Sequence, residues 1–206
     1  MAEGTDHKGL TTSTGDATPA RPAGRVILHK TVVFVGMMGA GKTAVGRTLA
    51  AQLDVAFRDS DHEIETAAQM SIAEIFARDG ESFFRRKETQ VIERLLKGAP
   101  GVLSTGGGAF MSDTNRRLIS DMGVSVWLNA DLDVLWERVR HRDTRPLLKT
   151  PDPKGTLRQL FEQRVPTYRH ADIAVRSEPG VSLEAMGERV TAALLAERPD
   201  VMETKE

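Results

Sequence analysis

The run Gly36-Met37-Met38-Gly39-Ala40-Gly41-Lys42-Thr43 satisfies the pattern G-x-x-x-x-G-K-[ST] in full, and it directly follows the apolar stretch Thr31–Val35. Few features bind a chain so tightly to one local architecture: a buried strand, a glycine turn at its carboxyl end, and a helix that begins inside the loop. Closely spaced glycines let the backbone wrap an anion with its N–H groups turned inward, and the helix adds the positive end of its dipole. Lys42 reaches the β and γ phosphates of a triphosphate held in such a cradle, and the Thr43 hydroxyl can ligate a magnesium ion bridging them. The predicted nucleotide-binding positions are therefore Gly39, Ala40, Gly41, Lys42, Thr43 and Ala44, with Thr43 also a metal ligand.

The remainder of the chain has to supply a sheet around that strand. Short apolar runs at Thr31–Val35, Val55–Arg58, Val102–Thr105, Val124–Leu128 and Ile173–Val175 alternate with longer stretches of helical period. This pattern predicts an α/β fold, a three-layer sandwich with a five-stranded parallel sheet covered on both faces. Ser71 and Glu74 are spaced as a capping box that opens one helix. Phe84, Val91 and Leu95 place an apolar stripe on another, from about Glu81 to Lys97. Leu132, Leu135, Trp136 and Val139 mark a further helix, and Leu183, Met186, Val190 and Leu194 the last. Residues 1–24 are rich in Thr, Gly, Ala, Pro and Asp, hold almost no large apolar side chain, and read as a disordered tail ahead of a domain at 25–200. Glu3, Asp6 and Asp16 argue against a transit peptide there.

Charge and composition exclude several classes. Lys and Arg number 28 against 29 Asp and Glu, so no strong basic field gathers nucleic acid or anionic lipid. The absence of cysteine removes disulfides and thiolate metal sites and fits a reducing cytoplasm. No apolar run approaches the roughly 18 residues of a membrane span. The expectation is a cytoplasmic monomer acting on small molecules. A GTP switch would want an Asn-Lys-x-Asp signature after a later strand, and Asn129-Ala130-Asp131-Leu132 has no lysine there.

Chemistry beyond the nucleotide has several candidate carriers. Asp59-Ser60-Asp61 closes the second predicted strand, and alternate strand residues share a face, so both carboxylates can project over the carboxyl edge of the sheet. There they suit magnesium and the orientation or deprotonation of a hydroxyl, or else they cap a helix. In Phe83-Phe84-Arg85-Arg86, Arg85 is the candidate to hold an anionic substrate, while Arg86 is expected to form ion pairs with Glu81 or Glu88. Gly106-Gly107-Gly108 follows the third strand, either for close approach of a ligand or as a flexible turn. The basic stretch from Arg138 to Lys149 reads as a cationic flap in which Arg145 can meet the transferring phosphoryl group, with Arg138 and Arg142 read as a solvated helix end. Pro166 is expected to interrupt a helical stretch, which could set Arg164 toward the cleft.

Taken in order, the phosphate loop, Asp-Ser-Asp, Phe-Arg-Arg, the triple glycine, Arg145-Pro146-Leu147-Leu148 and Arg164-x-Pro166-x-Tyr168 resemble the shikimate kinase family over about residues 31–195. The resemblance implies a nucleoside-monophosphate-kinase-like P-loop fold. It implies phosphorylation of the 3-hydroxyl of shikimate by ATP and magnesium, on the route to chorismate and aromatic amino acids. It further implies that Asp61 meets the reacting hydroxyl, that Asp59 holds magnesium through water, and that Arg85 and Arg164 grip the substrate carboxylate. Gly107 and Gly108 would lie beside the substrate, Arg145 on a lid at about 140–156, and Arg140 against adenine; a segment at about 60–96 would bind the acceptor. Two other readings stand beside this one. A gluconate kinase would share the loop and lid without needing two carboxylate-gripping arginines, and a regulatory nucleotide-binding protein would not need Asp61, Lys42 and Arg145 together.

Overall fold

Thr31–Val35 consists of β-branched and aromatic residues, and all five are buried; such a run is stable only as an interior strand. The computed structural model describes residues 25–141, 146–148 and 150–205. In chain order they form β1 (Arg25–Leu28), β2 (Thr31–Val35), α1 (Lys42–Leu53), β3 (Phe57–Asp59), α2 (Ser60–Ala68), α3 (Ile72–Asp79), α4 (Glu81–Leu96) and β4 (Val102–Ser104). There follow α5 (Asp113–Met122), β5 (Gly123–Asn129), α6 (Leu132–Val139), α7 (Pro153–Tyr168), β6 (Ile173–Arg176), α8 (Leu183–Glu197) and β7 (Met202–Lys205), with short 3-10 turns at Ala109–Met111 and Pro146–Leu148.

Among the described residues the main sheet has five parallel strands in the order β3-β4-β2-β5-β6. The strand order reverses at β2, so its carboxyl end opens onto a crevice between neighbours, where ligands of open α/β sheets bind. Register sharpens this placement. Phe34 pairs with Ser104 and Ser104 with Asp59, so the ends of β2, β4 and β3 lie in one row. The sheet is flanked by helices, with α1 against α8 and α4 against α5.

The five expected strands are all present; the second lies at Phe57–Asp59 rather than Val55–Arg58. The Ser71–Glu74 capping box opens α3 as expected. Pro166, by contrast, does not interrupt α7, which runs on to Tyr168. A proline removes only its own N–H from the ladder, and two residues from the helix end that loss falls in the last turn. Three elements were not anticipated: α2, α5, and the antiparallel pairing of β1 with β7 that ties Leu28 to Met202. Val201 and Met202 are fully buried in the main core.

A second, smaller core of Ile64, Ile75 and Phe84, with Met70, Ile72, Phe76 and Phe83 around it, holds α2, α3 and α4 together. Residues 1–24, Arg142, Arg145 and Lys149 lie outside the described residues, so the tail and the lid arginine carry no structural account. Among the described residues no helix is long and apolar enough to cross a membrane.

Candidate active site

The phosphate loop takes the shape its glycines demand. Gly41 caps α1 at φ 97°, and Gly39 has φ 83° with a would-be Cβ only 2.7 Å from Val139 Cγ1; no other residue fits both the backbone and the space. Lys42 is 8% exposed, and its Nζ donates to the carbonyls of Gly36 at 2.8 Å and Met37 at 3.0 Å. The loop borders a cleft of about 500 Å³ that Gly39, Ala40, Gly41, Lys42, Thr43 and Ala44 all line, together with Asp59, Asp61, Ser104 and Gly107.

Register brings the metal-side candidates into contact. Thr43 Oγ1 donates to Asp59 Oδ2 at 2.9 Å and lies 3.3 Å from Ser104 Oγ. Asp59 Oδ1 meanwhile accepts from the backbone N–H groups of Asp61 and His62 and caps α2. One oxygen of Asp59 is thus the cap of α2, while the other faces Thr43 at the mouth of the phosphate loop. Among the described residues no three His, Asp or Glu side chains form a metal cage. A hydroxyl and a carboxylate at the mouth of a phosphate cradle are nevertheless the donor set that magnesium uses, since it keeps waters and takes its other ligands from the nucleotide.

On the acceptor side each glycine of the triple turn faces a different charged group. A Cβ at Gly106 would stand 2.6 Å from Asp61 Oδ1, one at Gly107 3.4 Å from Arg164 Nη1, and one at Gly108 2.6 Å from Arg85 Nη2. The turn is thus bare because two guanidinium groups and a carboxylate crowd its surface. That favours close approach over plain flexibility as the reason for three glycines. Arg85 Nη1 donates to Glu88 Oε2 at 2.9 Å, Arg85 Nη2 to Glu81 Oε1 at 3.1 Å, and its Cζ lies 5.2 Å from the centre of the Phe84 ring. The expected division of labour is therefore corrected: Arg85 takes both acids, while Arg86 lies over the Phe83 ring at 5.8 Å. On α4, Glu81 and Glu88 stand four and three residues from Arg85 and so share its face.

Glu88 is 1% exposed. Burial raises its pKa against the pull of Arg85, and Asp61 adds to the rise. Burial opposes the charge of Arg85 as well, but Glu88 and Glu81 together outweigh it and its pKa rises. A buried carboxylate of this kind needs its cation, and the cation is held in one place by it.

The base-side expectation also changes. Arg140 pairs with Glu137 at 2.9 Å, both side chains well exposed, and does not line the cleft. Arg138, read from sequence as a solvated helix end, lines it instead. Its Nη1 donates to Gly39 O at 3.3 Å, Ala40 O at 3.4 Å and Ser177 Oγ at 3.1 Å, and burial lowers its pKa. Val139, Val181, Leu183 and Met186 give this end of the cleft an apolar wall. The sequence held a clue: at about 100° per residue, Arg138 falls near the buried Leu135 on the helical wheel and Arg140 does not.

The geometry agrees with comparison to known proteins. The sequence model of the shikimate kinase family matches residues 38–194. The shikimate kinase of Ruegeria pomeroyi is 67% identical over 180 residues, covering 87% of this chain and 92% of that protein. That of Cereibacter sphaeroides is 66% identical over 179 residues, covering 87% and 89%. The solved structure of shikimate kinase from Acinetobacter baumannii in complex with shikimate superposes with a TM-score of 0.79 at 36% identity, over 82% of this chain and 94% of that one. With a glycine turn set between a phosphate loop and paired arginines, and with likeness of this extent, the chain belongs to the shikimate kinase family.

Proposed function

We propose that the chain transfers the γ-phosphoryl group of ATP to the 3-hydroxyl of shikimate, giving shikimate 3-phosphate on the route to chorismate and the aromatic amino acids. The observation that carries this reading is the glycine turn whose three members face Asp61, Arg164 and Arg85 in succession. Two guanidinium groups there match one carboxylate on the acceptor, by charge-assisted bonds of roughly 1.5 to 3 kcal/mol each. A carboxylate beside them matches the hydroxyl that reacts.

The proposed chemistry follows from that arrangement. Arg85 and Arg164 fix the acceptor's carboxylate, which leaves its reacting hydroxyl to be oriented by Asp61 in line with the γ phosphorus. As the new O–P bond forms, the bond from the γ phosphorus to the β–γ bridging oxygen breaks and ADP leaves. The hydroxyl proton passes to the Asp61 carboxylate late in the step. Lys42 and, on the lid at about 140–156, Arg145 offset the negative charge that spreads over the transferring group. Thr43 directly and Asp59 through water would hold magnesium, which supplies charge neutralisation at the β and γ phosphates when bound. Arg138, rather than Arg140, is the arginine proposed to lie against adenine. The absence of cysteine fits a reducing cytoplasm as the place of this reaction.

The test is ADP release by purified protein with ATP and magnesium, with and without shikimate, and with gluconate or nucleoside monophosphates as alternative acceptors. Release that depends on shikimate is expected, and preference for another acceptor refutes the reading. Asp61→Asn should cut turnover about a hundredfold or more while leaving the KM for ATP within about twofold. Unchanged turnover would remove Asp61 from the chemistry.

A further inference from the structure

The chain has one tyrosine, Tyr168, and it is fully buried at the end of α7. A phenol hydroxyl taken out of water has to find partners. This one donates to the carbonyl of Gly107 at 2.5 Å, outside its own helix. The Arg164 guanidinium stands by the same glycine, with Nη1 3.4 Å from where a Gly107 Cβ would sit, and its charge opposes the rise that burial imposes on the Tyr168 pKa. A carbonyl can only accept, so the hydroxyl proton goes to Gly107, and its lone pairs are left for a donor, which a guanidinium is. Arg164 and Tyr168 are four residues apart on one helix and so share a face.

We propose that Tyr168 is a positioning residue for the acceptor, its hydroxyl locking the Gly107 carbonyl and the Arg164 guanidinium into one surface. The ring and the hydroxyl have separable tasks. The ring is packed between Phe110, 6.4 Å away, and Trp127, 6.1 Å away, both stacked with it. That packing would be satisfied equally by phenylalanine. Only the hydroxyl reaches the turn, and it reaches the middle glycine, the one that faces Arg164. The turn's outer glycines are bordered by Asp61 and Arg85, so a rotation of the Gly107 peptide would change the spacing of all three charged groups at once. This inference rests on the proposed role of Arg164 in gripping the acceptor's carboxylate.

The test compares Tyr168→Phe and Arg164→Ala with the unaltered protein in steady-state assays that vary shikimate and ATP separately, alongside thermal unfolding. Tyr168→Phe is expected to raise the KM for shikimate about tenfold, the scale of one hydrogen bond to a charged group, with the KM for ATP unchanged. An unchanged KM for shikimate, or a parallel rise in both KM values with loss of stability, overturns the proposal. Arg164→Ala separates the two levels of argument. If it too leaves the KM for shikimate unchanged, the acceptor-site reading itself fails; if it raises that KM and Tyr168→Phe does not, only the role of Tyr168 fails. Should Tyr168→Phe not fold, the unaltered protein decides the matter through the ultraviolet resonance Raman bands of its single tyrosine. Adding shikimate without nucleotide should shift the phenol bands as Arg164 takes the carboxylate, and bands that do not move overturn the proposal.

Discussion

Gly108→Ala isolates the grip of Arg85 on the acceptor. Gly108 has φ −92° and ψ −14°, angles that alanine adopts without strain, so any effect comes from the added methyl group and not from the backbone. That methyl would stand 2.6, 2.7 and 2.8 Å from Nη2, Nη1 and Cζ of Arg85. Ordinary contact begins near ~3.5 Å, so the guanidinium has to retreat by about 1 Å. It is not free to do so at no cost, because Glu88 holds it at 2.9 Å and Glu81 at 3.1 Å. A misplacement of about 1 Å can cost roughly a hundredfold in rate, equivalent to about 2.7 kcal/mol. The loss should appear in kcat/KM for shikimate, measured by coupled ADP release, with the KM for ATP nearly unchanged. Gly107→Ala meets Arg164 Nη1 only at 3.4 Å and should cost several-fold less. A Gly108→Ala protein with full shikimate efficiency, or an inverted order between the two variants, would refute the account of the turn as a surface kept bare for guanidinium groups.

Two further outcomes are expected. Arg138→Ala should raise the KM for ATP about tenfold by removing the guanidinium that touches Gly39, Ala40 and Ser177, whereas Arg140→Ala, which loses only an exposed pair with Glu137, should leave it within about twofold; equal effects would refute the reassignment. Tyr168 has its pKa pushed up to about 12 from a model-peptide value of 10.0, chiefly by burial. A pKa raised on folding means that the contribution to stability is fully present below pH ~10 and falls by about 2 to 3 kcal/mol as pH climbs through ~12. Tyrosinate absorbance, which reports this residue alone because the chain has one tyrosine, should therefore appear near pH 12 and coincide with alkaline unfolding. Ionisation near pH 10 in the folded protein would contradict the buried hydroxyl.

What the sequence made legible was what local rules determine. β2 and the phosphate loop follow from a β-branched run ending in glycines, and the Ser71–Glu74 box is realised with Ser71 N donating to Glu74 Oε2 at 2.8 Å and Glu74 N to Ser71 Oγ at 3.3 Å. The helices that escaped notice lack a stripe. α2 buries only Ser60 and Ile64, and α5 only Asn115 and Ile119; too few apolar positions repeat for a period to be seen. The pairing of β1 with β7 joins the two ends of the domain, and no local pattern encodes a contact of that sequence separation.

In the site, the strand pattern brings the ends of β2, β4 and β3 into one row, and helix phase is where the expectations for the arginines changed. Both changes concern near neighbours on one helix: which of Arg85 and Arg86 pairs with the acids, and which of Arg138 and Arg140 lines the cleft. Residues one apart differ by about 100° in direction, so the choice cannot be made from the motif alone; it needs the phase of the buried face. For α4 that phase was available. Phe84, Glu88, Ile92 and Leu95 are buried at helical spacing, which sets an acidic residue in the middle of an apolar stripe. A carboxylate in that position requires a cation on the same face. Only residues three or four positions away can supply one from within the helix; Arg85 is three residues before Glu88, whereas Arg86 is two before it and points elsewhere. Glu88, which looked like a surface partner, is therefore the residue that identifies Arg85. An ionisable side chain breaking an apolar period marks where a helix holds a charged group for use.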